Sequence, residues 1–336
     1  MKIAIYGAGA VGSLFGNELA RVGHDVTLIG RGAHIAAVRA NGLTVIMNGE
    51  RRHTSPAAVT DPAQAGAQDL VVMVVKGHQV PAAAARIAPL LGPDTPVVAA
   101  QNGIPWWYFH RIGGKYEGRT LNAIDPGAVA WKSIGPARVI GGVIDAACAI
   151  VDPGVVDHHQ KHRSLVIGEP DGARSPRLAK IAEAFAATDI DTPQSATIRR
   201  AIWNKLLSNV GVSMLCVLTR GTVGQVNFDP GAFAVATRLM REMQAVAASV
   251  GVDIAASVES RIRNAPPSAV HKPSTLQDLE RGRPMEIDPI CGAVAEIARL
   301  TGTPAPWIDA IYALVRLLAE TTGCYPPNPA FRLTPI

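Results

Sequence analysis

Lys205, Asn209 and Ser213 recur at intervals of four residues, so they share one face of a helix expected from about Thr197 to Leu218. Immediately beside them runs an apolar ridge of Ile198, Ile202, Leu206, Val210 and Met214. An ammonium held beside such a ridge could stabilise an oxyanion and give it a proton, provided a partner or a lowered pKa offsets its burial. Pattern alone reads more simply: the stripe is the solvated edge of an amphipathic helix, with Lys205 snorkelling. Ser274 and Glu286 belong to a second set. Ser274-Thr275-Leu276-Gln277 reads as a capping box opening a helix that stops near Gly282. Asp288 then reads as the N-cap of a further helix with Pro289 at its first position, and Glu286 gains from that helix's dipole.

A different chemistry is written near the start. Gly7-Ala8-Gly9-Ala10-Val11-Gly12 follows the apolar run Lys2–Tyr6 and opens an amphipathic stretch from Val11 to Val22. Strand, glycine turn and helix in that order are the setting in which G-x-G-x-x-G binds a dinucleotide. The first glycine permits the turn, the second admits a pyrophosphate, and the third lets helix pack on strand. Free N–H groups at the helix start then favour the phosphates. The second strand, Asp25–Ile29, ends in Gly30-Arg31 with no acid nearby. NAD-preferring sites place a carboxylate there for the ribose 2′-hydroxyl, whereas an arginine fork pairs with a 2′-phosphate. The expected cofactor is therefore NADPH/NADP+.

Two more apolar runs, Leu70–Val75 and Pro96–Ala100, have the texture of parallel strands covered on both faces. They end at Lys76-Gly77-His78-Gln79 and Gln101-Asn102-Gly103. Gly7, Arg31, Lys76 and Asn102 thus all lie at carboxyl ends of strands, where open α/β sheets bind ligands. Asn102-Gly103 is also an ordinary turn signal. The run Trp106-Trp107-Tyr108-Phe109 could wall a substrate pocket or pack a loop excursion, and the sequence does not choose.

The elements that must position these residues divide in two. A length of 336 residues suggests about two domains, and 48% hydrophobic against 18% charged residues allows a large core. The turn-rich stretch Glu169–Pro176 separates strand-rich from helix-rich texture. We therefore expect an α/β fold: a Rossmann-type dinucleotide-binding domain over residues 1–170, followed by a mainly α-helical substrate and catalytic domain over residues 177–336. No apolar run is read as long enough to span a membrane, which needs about 20 residues. The chain enters a strand without the basic segment and apolar region of a signal peptide, so a cytoplasmic protein is expected. Cys148, Cys216, Cys291 and Cys324 are scattered, with no metal-ligand spacing, and read as reduced thiols. The net charge of +5 lacks the dense Lys/Arg runs of a nucleic-acid binder and suits an anionic cofactor and substrate.

Together these segments resemble the 2-dehydropantoate 2-reductase (ketopantoate reductase) family. The resemblance runs from residue 1 to about residue 315. It rests on Gly7–Gly12, Arg31, Val75–Gln79, Gln101–Gly103, Lys205 with Asn209, and Ser274–Asp278 followed by Glu286-Ile287-Asp288. It implies NADPH-dependent reduction of 2-dehydropantoate to (R)-pantoate, in pantothenate and coenzyme A biosynthesis. It also implies a helical domain like that of 6-phosphogluconate dehydrogenase, with substrate bound in the cleft between domains. On this likeness Lys205 is the catalytic general acid and Glu286 the catalytic glutamate, also touching cofactor. Asn209, Ser213 and Ser274 are placed to bind substrate, Asn102 lies near substrate and cofactor, and Lys76 lies near cofactor with Gly7–Gly12 and Arg31. Ser213 departs from a second substrate-contacting asparagine common in the family, and Trp106–Phe109 replaces a more polar stretch. Those departures keep open a reductase of another 2-oxo acid or related ketone. A non-catalytic NADP(H)-sensing protein is the reading from another class. A small-molecule 2-oxo acid is the expected partner, and a homodimer is compatible with it.

Overall fold

The computed structural model describes residues 1–158, 160, 162–254 and 270–333. Two compact units emerge. The first comprises Met1–Gln101, Trp107–Gly118 and Ala128–Ile198; the second comprises Asn102–Trp106, Arg119–Gly127 and Arg199–Ile336.

The first unit is built on strands β1 (Lys2–Tyr6), β2 (Asp25–Ile29), β3 (Leu43–Met47), β4 (Glu50–Thr54), β5 (Ala57–Val59), β6 (Leu70–Met73), β7 (Val97–Ala99), β8 (Val139–Asp145), β9 (Cys148–Asp152), β10 (Val155–His158) and β11 (Ser164–Gly168). Seven of them form one sheet in the order β11-β8-β7-β6-β1-β2-β5, parallel except for β11. The chain leaves β1 for β2 on one side and later returns to β6 on the other. The strand order therefore reverses at β1, the place where doubly wound sheets bind ligands. The other four make a small sheet, β4-β3-β10-β9.

Helices α1 (Ala10–Arg21), α2 (Gly32–Asn41), α3 (Val80–Ala84), α4 (Val129–Ile134) and α5 (Pro176–Phe185) complete this unit. Ile3, Ile5, Leu14, Phe15, Leu19 and Leu28 form the centre of its core. Leu178, Ile181 and Phe185 of α5 join the same core, with Phe185 edge-on to Phe15 at 6.1 Å. The stretch Glu169–Pro176 is therefore a turn inside the first unit rather than the domain boundary expected there. Ser175 caps α5 by accepting from Leu178 N at 3.1 Å, and Glu169 holds Arg177 at 2.6 Å. The chain then runs back along β11, bridging Ser164 to Asp191 and Ile167 to Gln194, before it leaves at Ile198.

The second unit is mainly helical, as expected. Its spine is α6 (Ile198–Ser208), a π-helical turn at Asn209–Ser213 and α7 (Met214–Thr219), continuous in backbone. After it come α8 (Val223–Phe228), α9 (Pro230–Ser249), α10 (Ser274–Glu280), a second π turn at Asp288–Gly292, α11 (Ala293–Thr301) and α12 (Pro306–Thr321). By length and composition Ile198–Thr219 is apolar enough to cross a membrane, contrary to the expectation that no such run exists. Here it is a core helix: Trp203, Leu206, Leu207, Val210 and Met214 are buried against the surrounding helices.

Candidate active site

The dinucleotide turn divides its labour among three glycines. Gly7 has φ +113°, and a Cβ there would lie 2.5 Å from Val75 N. At Gly12 a Cβ would lie 2.3 Å from the Gly7 carbonyl oxygen. Only Gly9, at the cap of α1, faces open space, with nothing within 4 Å of its Cβ position. No side chain caps α1, so its first N–H groups are presented beside that opening. The backbone at Gly7-Ala8-Gly9-Ala10-Val11-Gly12 thus fits a pyrophosphate group.

Arg31 is exposed just past the end of β2, at the cap of α2. Asp61, just past the adjacent strand β5, is engaged by Arg86 at 3.2 Å. Lys76 follows the end of β6 and is half-buried. Burial, with Lys76 close by, pushes the His78 imidazole down to about 4, so it is neutral at physiological pH.

The remaining candidate residues lie in the second unit, and so does Asn102. Gly103 has φ +90°, and a Cβ there would lie 2.1 Å from the Pro289 carbonyl oxygen. Ile104 N donates to that same oxygen at 2.9 Å. Asn102 therefore sits on a turn pressed against the π turn Asp288–Gly292. That turn begins two residues after Glu286, whose side chain is itself buried. The two π turns pack against each other, and α10, which begins at Ser274, packs on α7. The segments bearing Asn102, Lys205, Asn209, Ser213, Ser274 and Glu286 are thereby gathered in one unit.

Three local expectations change. Ser274 is the first residue of α10, is exposed and makes no cap bond; the preceding Pro273 occupies the cap position. Asp288 caps nothing, because both its oxygens are held by phenols: Tyr312 Oη donates at 2.9 Å and Tyr325 Oη at 2.7 Å. Lys205 and Asn209 are half-buried, but Ser213 does not continue their stripe as in an α-helix. One inserted residue rotates the next turn of helix by about 100°. Ser213 is buried and its Oγ donates to Ser208 O at 3.4 Å, five residues back.

The aromatic run packs. Trp106 to Phe109 are each no more than 2% exposed, with the Trp107 ring against Gly141 and Tyr108 edge-on to Phe109 at 5.0 Å. Sequence reasoning missed Tyr312, Tyr325 and Glu296. Glu296 accepts from Asn122 N and Ala123 N at 2.9 and 2.8 Å, tying the loop 119–127 to α11. Nothing in their spacing announces these long-range partners. Among the described residues, no group of three or more His, Cys, Asp or Glu side chains could hold a metal.

Known proteins give this geometry a context. Residues 3–172 match the family described as ketopantoate reductase PanE/ApbA, and residues 197–319 match its C-terminal counterpart. A 2-dehydropantoate 2-reductase of Mesorhizobium japonicum is 45% identical over 97% of this chain and 100% of its own. A Ralstonia solanacearum crystal structure named for ketopantoate reductase is 39% identical with TM-score 0.90, covering 96% of this chain and 99% of that one. A PanE/ApbA family ketopantoate reductase structure from Ralstonia eutropha is 31% identical with TM-score 0.82, covering 96% and 100%.

Proposed function

The chain belongs to the ketopantoate reductase PanE/ApbA family, and from that premise we propose that it reduces 2-dehydropantoate to (R)-pantoate with NADPH, a step toward pantothenate and coenzyme A. One observation carries the reading furthest. The π turns that come after Lys205 and Glu286 pack on each other, and the Asn102 turn is seated on the second of them.

The residues have matching work. When bound, NADPH supplies the hydride that reduces the ketone carbon. Gly9 and the first turn of α1 would hold its pyrophosphate, Arg31 its 2′-phosphate, and Lys76 would add positive charge near it. Reduction builds negative charge on the ketone oxygen. Lys205 Nζ stabilises that charge and transfers its proton to the oxygen, leaving a neutral amine that solvent reprotonates. Glu286 orients Lys205 or a substrate hydroxyl. Asn209, Asn102 and the uncapped hydroxyl of Ser274 offer hydrogen bonds to the substrate's carboxylate and hydroxyl groups. We place the enzyme in the cytoplasm, in keeping with four cysteines that stay free thiols.

A second reading draws on Ser213. Its hydroxyl is spent on Ser208 O, so it offers a substrate less than an asparagine amide would. That favours a reductase with the same mechanism acting on a different 2-oxo acid. Both readings are tested by following NADPH absorbance with 2-dehydropantoate and a panel of straight-chain and branched 2-oxo acids, with NADH as control. The highest kcat/KM on 2-dehydropantoate with NADPH is expected. A higher value on another acid favours the second reading. Tight NADPH binding with no turnover of any carbonyl compound would leave a cofactor-sensing role instead.

A further inference from the structure

The proline-rich stretch after α12 has no part in the chemistry above, yet it runs along the segment that bears Glu286. Met285 N donates to Cys324 O at 2.9 Å. Tyr325 Oη donates to one oxygen of Asp288 at 2.7 Å, and Tyr312 Oη to the other at 2.9 Å. Asn328 Nδ2 donates to Asn122 O at 3.0 Å, and Phe331 lies 5.9 Å from the Tyr312 ring. Phe331 and Tyr312 close over Gly292, where a Cβ would come within 2.8 and 2.9 Å of their rings. Arg316 stacks on the other contact, its guanidinium 5.0 Å from the Tyr325 ring centre. Residues 324–331 therefore form a strap across the π turn Asp288–Gly292.

We propose that this strap is a positioning device for the active site, with the Tyr325–Asp288 hydrogen bond as its latch. The inference rests on the proposed reductase function for its kinetic consequence alone. Packing by Phe331 and Tyr312 would suffice to cover the turn. A buried carboxylate adds no net stability over an apolar contact unless its partners are in place, but its hydrogen bonds are directional. Asp288 is 5% exposed and stands two residues from Glu286. Fixing both its oxygens fixes the rotation of the helical turn that Glu286 leads directly into. The same turn presents the Pro289 oxygen to Ile104 N, so the latch also sets the seat of Asn102. Prolines at 326, 327 and 329 limit the strap's freedom when unlatched and so reduce the entropy lost on latching. Tyr325 and Asp288 act through Glu286 and Asn102 and touch no reacting atom in this scheme.

The test uses full-length Tyr325→Phe, which removes one hydroxyl and keeps the ring, and Asp288→Asn, which keeps an acceptor oxygen. Amide hydrogen exchange over residues 285–292, without ligands, should rise in Tyr325→Phe while exchange in β1 and β6 stays unchanged. Its kcat on the preferred 2-oxo acid should fall by at least about tenfold, with KM for NADPH within about twofold of wild type. Asp288→Asn should fall between Tyr325→Phe and wild type, because its amide can accept from one phenol and donate to the other, weakening both contacts and losing neither. Unchanged exchange at 285–292 in Tyr325→Phe overturns the latch. Raised exchange with unchanged kcat overturns its positioning role. A wild-type enzyme inactive on every 2-oxo acid would overturn the proposed function instead, and the exchange result would still decide the latch.

Discussion

Gly9 and Gly12 stand three residues apart in one motif and answer to different constraints. Alanine at 12 would drive its methyl into the Gly7 carbonyl, a backbone atom that cannot step aside. Gly12→Ala should cost about 1–3 kcal/mol, read as a lower denaturant midpoint. Gly9 has φ −81°, which any residue adopts, and open space before it. Gly9→Ala should keep the midpoint of wild type and raise the Kd for NADPH in a fluorescence titration. Equal stability losses for the two variants would contradict this division. Lys205→Ala should lower kcat by roughly a hundredfold or more while NADPH still binds. These glycines were legible in the sequence because their roles are set by the adjacent strand and helix. The direction of Ser213 was not, because the residue inserted at the π turn has no signature in composition. Asp288 was misread for a related reason: a helix-start carboxylate is a cap by default, and its phenol partners lie 24 and 37 residues away.

At the scale of elements, a helix pattern shows which face is apolar but not which layer that face will cover. The alternation of strand and glycine turn made the parallel sheet readable, and the period of α6 made the helical spine readable. Helix α5 shows the limit. Its helical texture placed it with the second half, whereas Leu178, Ile181 and Phe185 complete the core beneath the sheet. Phe185→Ala should therefore destabilise the first unit by about 3–5 kcal/mol. Hydrogen exchange should show the loss in β1 and β2 and leave α9 and α12 at wild-type protection. Loss confined to the helical unit would place α5 there instead. The same limit hid the strap, since nothing in a proline-rich tail names the surface it covers.

Across the whole molecule, two buried histidines contribute a distinct part of the acid response. Gly154 N donates to His34 Nδ1 at 3.1 Å, so the ring proton sits on Nε2, which meets Ser13 Oγ at 2.9 Å. Burial holds His34 below the ordinary histidine value near 6.5, and burial with Lys76 close by brings His78 to about 4. In that interval these two rings bind more protons in the unfolded chain than in the native state, so their contribution to stability rises with pH. It should be full above pH 6.5 and fall as the pH drops toward about 4. Glu18 acts in a lower window. Burial opposes its charge, but bonds from Arg21, Asp189 N and Arg52 outweigh burial and keep it below 4.5. Its contribution is present above pH 4.5 and is lost below that value. Melting temperatures between pH 4 and 8 should show the histidine slope, and His34→Leu should flatten part of it. An identical slope in that variant would remove His34 from the account.

The assignment of residues 102–106 and 119–127 to the helical unit bears on how such enzymes can be recombined. A chimera spliced at residue 198 would take its helices from one parent and these two stretches from the other. Glu296 would then face foreign amides at 122 and 123, and the Pro289 oxygen would meet a foreign turn in place of Gly103. Recombination between relatives should succeed only when both stretches travel with the helices, so inheritance in this protein follows three-dimensional membership rather than the order of the gene.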